Sequence, residues 1–294
     1  MSEQYILVID EGTTGTRALI VDHNSTIKAQ AYTEFTQYHP AADRVEHDAE
    51  EIWQATQKMM QQALSAAGLK PADIAALGIT NQRATTVVWD RKTGKPILPA
   101  IVWQDTRTAG YIETIRDQWA EQAYAHTGWA LAPVYSALSL NWIMENVPDA
   151  RERGKAGDLA FGTIDSWLIH RLTAGKVHAI AASNASVTGS YDLLNDRWYG
   201  EWLDFLGVPQ SLLPEVRDDS GNFGMTDPAL LGVRTGEHLV GRSEPVAVPE
   251  EILDEPPQPA DGGVFQWIDK FLPDFRLVAE DAVQHDHRQA APFR

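Results

Sequence analysis

Between two apolar runs the chain reads Asp10-Glu11-Gly12-Thr13-Thr14-Gly15-Thr16-Arg17. A carboxylate at a strand end, followed by a tight turn of glycine and hydroxyl residues, presents backbone N–H groups and threonine hydroxyls to an anion, while Asp10 faces a hydrated metal ion. That is the chemistry a nucleoside triphosphate needs. Glycine and threonine are also ordinary turn residues, so a plain hairpin turn is the competing reading. Other chemistry-bearing groups are less telling. His285-Asp286-His287 has metal-ligand types but lies in an acidic stretch, where a solvated segment is the simpler account. Asp165 and His170 share a helix-like segment and read as structural, and no Ser-His-Asp set is identifiable.

The elements that must hold the turn follow from hydrophobic spacing. Tyr5–Asp10 and Thr16–Asp22 are β-type segments around the turn and make a hairpin, with a third strand expected over about 27–35. Over 50–67 the apolar residues Ile52, Ala55, Met59, Met60, Ala63 and Leu64 fall on one helical face, and Gly68 and Pro71 stop the helix. Strands are expected at 74–79 and 85–89, with a turn at 91–94, and again at 99–103. Helices are expected over 106–125 and 136–145, then a short strand to Gly162 and a helix on 165–169. This mixture predicts an α/β domain, a mixed sheet with flanking helices.

Composition bounds the partners. Of 294 residues 41 are Asp or Glu and 24 are Lys or Arg, a formal net charge of −17. A surface this acidic repels phosphate backbones and anionic lipids, and no basic patch offsets it, so the expectation is no nucleic acid and no membrane. With 44% hydrophobic residues and 10 Trp, global disorder is excluded. The absence of Cys removes disulfides, thiolate catalysis and sulfur-based zinc sites. No basic segment followed by an apolar run opens the chain and no stretch approaches about 18 consecutive apolar residues, so a cytoplasmic protein is expected. Beyond Gly232 the composition shifts: residues 233–294 hold 7 of the 16 Pro and 12 acidic against 6 basic side chains. The expected division is therefore 1–232 and an atypical acidic, Pro-rich 233–294, whose packing anchors would be Phe265, Trp267, Ile268 and Phe271.

Five blocks stand in one order with one spacing: the 10–17 turn, Val45-Glu-His-Asp48 before Ile52-Trp53, Gly78-Ile-Thr-Asn-Gln-Arg-Ala-Thr-Thr-Val-Val-Trp89, Ala100-Ile-Val-Trp-Gln-Asp-Thr-Arg107, and Gly162-Thr-Ile-Asp-Ser-Trp-Leu-Ile169. Over about residues 4–232 the chain thereby resembles the N-terminal domain of the glycerol kinases, in the FGGY family of carbohydrate kinases. The resemblance implies an actin-like, ribonuclease H-like fold, with ATP, Mg²⁺ and a polyol in a cleft between two such domains. It implies that Thr13, Thr14 and Arg17 contact nucleotide phosphates, that Asp10 lies near the metal, and that Arg83, Trp103 and Tyr135 line the polyol pocket. Guanidinium groups hydrogen-bond hydroxyls and phosphates, and an indole face packs a small carbon skeleton, so the types suit those roles. In isolation Trp103 reads as core packing and Arg83 as a surface cation.

Three departures qualify the expected activity. Where the family has Glu after the pocket arginine, this chain has Ala84, so Ala84→Glu is expected to tighten polyol binding. The pocket tyrosine normally follows proline directly, whereas Pro133-Val134-Tyr135 places it one residue later. The family's Gly-Asp-Gln block, whose aspartate is the general base, is not found in 233–242, and 62 residues are too few for a second domain. The expectation is an ATP-dependent kinase of glycerol or a similar small polyol that is truncated and weakly active, with self-association or a partner subunit at the surface the second domain would cover. The alternative is a non-catalytic relative that binds polyol or protein.

Overall fold

The computed structural model describes residues 5–231. Its centre is a mixed sheet of β1 (Tyr5–Glu11), β2 (Gly15–Val21), β3 (Ile27–Glu34) and β5 (Ile74–Asn81), in the order β3-β2-β1-β5. The β1–β2 and β2–β3 pairs are antiparallel and β1–β5 is parallel, so the hairpin expected around 12–15 forms and a crossover delivers β5 beside β1. Between β3 and β5 lie β4 (Glu46–His47) and α1 (Ala49–Ala67), and α1 is the crossover helix.

Local sequence explains α1. Asp48 caps it, accepting from Glu50 N at 2.8 Å and Glu51 N at 3.4 Å. Glu50 and Glu51 place negative charge at the positive end of the dipole. At the other end Gly68 turns left-handed, φ +66°, and Leu69 N donates to Leu64 O at 3.0 Å, a close that glycine makes without Cβ strain. The apolar stripe of Ile52, Met59, Met60 and Ala63 is buried against the sheet residues Leu7, Ile9, Ala18 and Ile20. Each of the Leu, Ile and Met side chains among them contributes roughly 1.5–3 kcal/mol of burial, which is why helix and sheet form together.

The rest of the described chain adds to this core and builds a second apolar core beside it. That second core draws on β6 (Val87–Asp90), β7 (Ala100–Ile101), α2 (Ala109–Thr127), α3 (Ser136–Asn146), α4 (Ala150–Lys155) and β8 (Leu159–Gly162), whereas α5 (Ile164–Leu172) packs into the first. After these come β9 (Ala179–Ala181), α6 (Ala182–Ser186), β10 (Tyr191–Asp192), β11 (Arg197–Trp198), α7 (Gly200–Phe205), β12 (Glu215–Arg217) and α8 (Pro228–Leu231). Ile112, Ile115, Leu138, Leu140, Phe161 and Trp202 lie at the centre of the second core. α5 is fixed to the start of α1 by Trp167 Nε1 donating to Ala49 O at 3.0 Å and by an Arg171–Glu50 ion pair.

Two strand expectations are corrected. The run expected at 85–89 becomes β6 over Val87–Asp90, paired with β8, while Thr85 and Thr86 stay outside it. The run at 99–103 shrinks to the Ala100–Ile101 pair with Glu46–His47, because Val102 N bonds Val45 O and the chain then turns Trp103 outward. The helix expected at 106–125 occupies Ala109–Thr127. The expectations for 233–294, including its aromatic anchors and His285-Asp286-His287, lie outside the described residues.

Candidate active site

Alternation along β1 sends its last two carboxylates to opposite faces. Glu11 turns toward α1 and is fully buried, while Asp10 stays partly exposed. In register Asp10 stands opposite Arg17 and Glu11 opposite Thr16. Gly12 N donates to Gly15 O at 3.0 Å and closes the turn, leaving Thr13 and Thr14 at its tip. Position 15 must be glycine: a Cβ there would stand 2.5 Å from Thr33 O and 2.7 Å from the Tyr32 hydroxyl. The turn is thereby pressed against β3.

The buried side of the turn is internally satisfied. Thr16 Oγ1 donates to the Glu11 carboxyl at 2.7 Å, and Thr56 Oγ1 lies 3.0 Å from Glu11 Oε2. Thr56 Oγ1 is also 2.9 Å from Ile52 O, and one hydroxyl hydrogen cannot serve both acceptors. A protonated Glu11 resolves the conflict by donating to Thr56. Burial pushes the Glu11 carboxyl up to about 8 against the pull of the two threonines, with Asp10 adding to the rise, so Glu11 is neutral at pH 7.

The open side carries unspent groups. Asp10 makes no side-chain hydrogen bond or ion pair among the described residues, and Arg17 makes none beyond resting its guanidinium 5.6 Å from the Tyr32 ring centre. Thr14 is exposed at the tip. Unpaired charge of both signs beside free backbone at the end of β1 is the arrangement a phosphate–metal pair would use.

A second group of elements closes on the turn. Gln82, just past β5, donates its backbone N–H to Glu11 O at 2.7 Å and its side-chain amide to Gly12 O at 3.2 Å. Thr85 Oγ1 donates to Gln82 Oε1 at 2.9 Å, and Trp103 N donates to Thr85 Oγ1 at 3.3 Å. Trp103 Nε1 then donates to Thr13 Oγ1 at 3.0 Å, with the indole 40% exposed. Behind Gln82 the buried His47 ring lies 3.4 Å from the Gln82 amide and 2.8 Å from Gln37 Oε1. Burial drives its titration down to about 4, so it is a neutral member of this network.

Ser136, the first residue of α3, donates to Ala84 O at 2.9 Å and brings Tyr135 to the same end of the molecule. Tyr135 is half-buried, its ring 5.5 Å from that of Trp129, and burial raises its hydroxyl titration. Gly189, φ +70°, lets the backbone pass behind Tyr135 where a Cβ would stand 2.7 Å from Tyr135 Cβ. Ala84 sits at φ +62° with its side chain 2% exposed, and Arg83 beside it is exposed with no partner among the described residues.

Thr13 and Trp103 are thus brought into contact, with Gln82, Thr85 and the Ala84–Ser136 link joining them to the Arg83 loop and the start of α3. Gln82, Thr85, Ser136 and Glu11 carry the arrangement without having been assigned a role from sequence. Gln82 and Thr85 flank Arg83 in the quoted block, which is the signal available for them. Asn184 of α6 exchanges amide hydrogen bonds with Asn81 at 3.1 and 3.3 Å, and nothing local in sequence marks it. A cleft of about 1110 Å³ between the start of α1 and the 91–99 segment includes none of Asp10, Thr13, Arg83, Trp103 or Tyr135.

Residues 5–236 match the FGGY family of carbohydrate kinases, N-terminal domain. The chain is 51% identical over 230 residues to the glycerol kinase of Brucella ovis, covering 78% of this chain and 46% of that protein. It is 53% identical over 229 residues to the glycerol kinase of Alcanivorax borkumensis, with the same coverage of 78% and 46%. Its structure is similar to that of Plasmodium falciparum glycerol kinase with ADP, TM-score 0.74 at 28% identity, over 78% of this chain and 46% of that one. The chain belongs to the FGGY family of carbohydrate kinases, and its mixed sheet with flanking helices is the actin-like architecture of that family. It spans about half the length of the curated relatives it matches.

Proposed function

We propose that this chain supplies the N-terminal wall of an ATP-dependent kinase that phosphorylates glycerol or a similar small polyol. The observation that supports the reading is the 3.0 Å hydrogen bond from Trp103 Nε1 to Thr13 Oγ1, because it brings the glycine–threonine turn into contact with an exposed indole. In this reading Thr13, Thr14 and Arg17 hold nucleotide phosphates, and Arg83, Trp103 and Tyr135 receive the polyol. Residues 1–232 act as the kinase-like unit.

A Mg²⁺ ion fits as a guest that arrives with the nucleotide. Asp10 offers a carboxylate with no hydrogen-bond partner among the described residues, and no group of three or more His, Cys, Asp or Glu among them forms a protein cage. One carboxylate, waters and phosphate oxygens are the usual Mg²⁺ set. When bound, the ion would neutralise phosphate charge. Phosphoryl transfer depends mainly on positioning and electrostatic stabilisation, which is what the turn and wall residues contribute.

The second reading, a non-catalytic polyol- or protein-binding relative, is favoured by Ala84 at the family's glutamate position. Self-association or a partner subunit would complete the cleft. No helix among the described residues is long and apolar enough to cross a membrane. The use of ATP makes the cytoplasm, where ATP is held, the working compartment of this reading. The test is a coupled assay for ADP release by the purified chain against a polyol panel, with calorimetric titration of glycerol and of ATP with Mg²⁺. Weak binding with turnover ~10²–10⁴-fold below a complete kinase is expected without the base. Robust glycerol-dependent ATP consumption would overturn the missing-base account, and absence of any polyol or nucleotide binding would overturn the kinase reading.

A further inference from the structure

We propose that Trp103 is a positioning residue of the phosphate turn: its indole N–H holds the Thr13 hydroxyl as a donor toward a phosphate oxygen, so one side chain sets both the polyol wall and the anion site. The inference rests on the kinase reading above and adds to it the residue that joins its two halves.

An indole N–H donates and cannot accept, so in the 3.0 Å contact Thr13 Oγ1 is the acceptor. The hydroxyl of Thr13 has one hydrogen, and no hydrogen bond among the described residues uses it. With a lone pair engaged by Trp103, that hydrogen is directed away from the indole. Thr13 is partly exposed at the tip of the turn, beside exposed Thr14 and the unpaired Asp10, so an incoming ligand can take that hydrogen. A neutral acceptor there could be water; a phosphate oxygen is the acceptor that the neighbouring N–H groups and Arg17 also favour.

The indole is itself held. Trp103 N donates to Thr85 Oγ1, Thr85 donates to Gln82 Oε1, and the Gln82 amide donates to Gly12 O, one residue before Thr13. The circuit closes on the turn with every hydroxyl and amide given a single consistent direction, and such chains polarise and stiffen their members. Trp103 nevertheless keeps 40% of its surface exposed, so its face remains available.

The test uses the full chain labelled with ¹⁵N and titrated with inorganic pyrophosphate without polyol. Trp103→Phe identifies the Trp103 indole resonance among the 10 Trp. The expected result is that this resonance moves together with the backbone amides of residues 12–15. Trp103→Phe should weaken pyrophosphate binding about five- to tenfold, the effect of one lost hydrogen bond. Thr13→Val should weaken it at least as much with the tryptophan in place, Thr13→Ser should restore it, and the double variant Trp103→Phe, Thr13→Val should be no weaker than Thr13→Val alone. Amides 12–15 that respond while the Trp103 indole stays still, or a Trp103→Phe protein that binds like the parent, would overturn the inference and leave the kinase reading standing. Silence of amides 12–15 would overturn the phosphate-turn reading and the inference with it.

Discussion

The two faces of the central sheet differ in kind. One carries Leu7, Ile9, Glu11, Thr16, Ala18 and Ile20, all buried, most of them beneath α1. The other carries Ile6, Val8, Asp10, Arg17, Leu19 and Val21, all at least partly exposed. Adjacent residues of the same type, Asp10 and Glu11, therefore meet opposite conditions. The buried one is neutralised and bonded to two threonines, and the open one keeps an unspent charge. The covered face packs, and the open face keeps the Asp10 and Arg17 charges without ion-pair partners among the described residues.

The largest test of that contrast is stability. Ile9→Ala should cost about 2–5 kcal/mol because a fully buried side chain under α1 leaves a cavity, whereas Val8→Ala should cost under about 1.5 kcal/mol on the open face. Urea unfolding of both variants decides it, and equal losses would mean that the two faces are equally packed.

The next test is the pH profile. Glu11 titrates near 8 when folded against 4.5 ordinarily, so the folded state holds a proton the unfolded state has lost, and stability falls as pH rises from 4.5 to 8. Asp165, buried and pushed up to about 6, acts the same way between 3.8 and 6. His47, His170 and His178, each driven to about 4 by burial, act oppositely: the unfolded state binds their protons first, so stability rises with pH from 4 to 6.5. From 4.5 to 6.5 the three histidines outweigh the two acids, and above 6.5 Glu11 remains. Stability should peak near pH 6.5 and decline toward pH 8 by up to ~1.4 kcal/mol per unit. Glu11→Gln, neutral at all pH, should flatten the decline in thermal denaturation scans, and a decline that survives the substitution would assign it to another group.

The smallest effect on folding belongs to Arg17→Ala, under about 0.5 kcal/mol, since its guanidinium is partly exposed and has only the Tyr32 ring beside it. Its effect on calorimetric ATP affinity should be clear by contrast. A loss of stability without loss of nucleotide binding would place Arg17 with the structural face instead.

Local signals determined much of this chain. Alternation and a glycine–threonine turn specify the β1–β2 hairpin, and a capping aspartate, a one-sided apolar stripe and Gly68 specify α1 nearly to its ends, because each depends on neighbours within a few residues. The positions of Asp10, Thr13, Thr14 and Arg17 on one turn were legible for the same reason. The short helices α4, α6 and α7 were not, since they span 6, 5 and 6 residues and owe their form to tertiary packing rather than to period. Tertiary structure alone decided which carboxylate is buried, that β5 lies parallel beside β1, and that Trp103 reaches Thr13 across 90 residues of sequence and Gln82 reaches Gly12 across 70. Side-chain type states which bonds a residue can make, but burial and the arrival of a distant partner state which it does make, and neither is a property of the local chain.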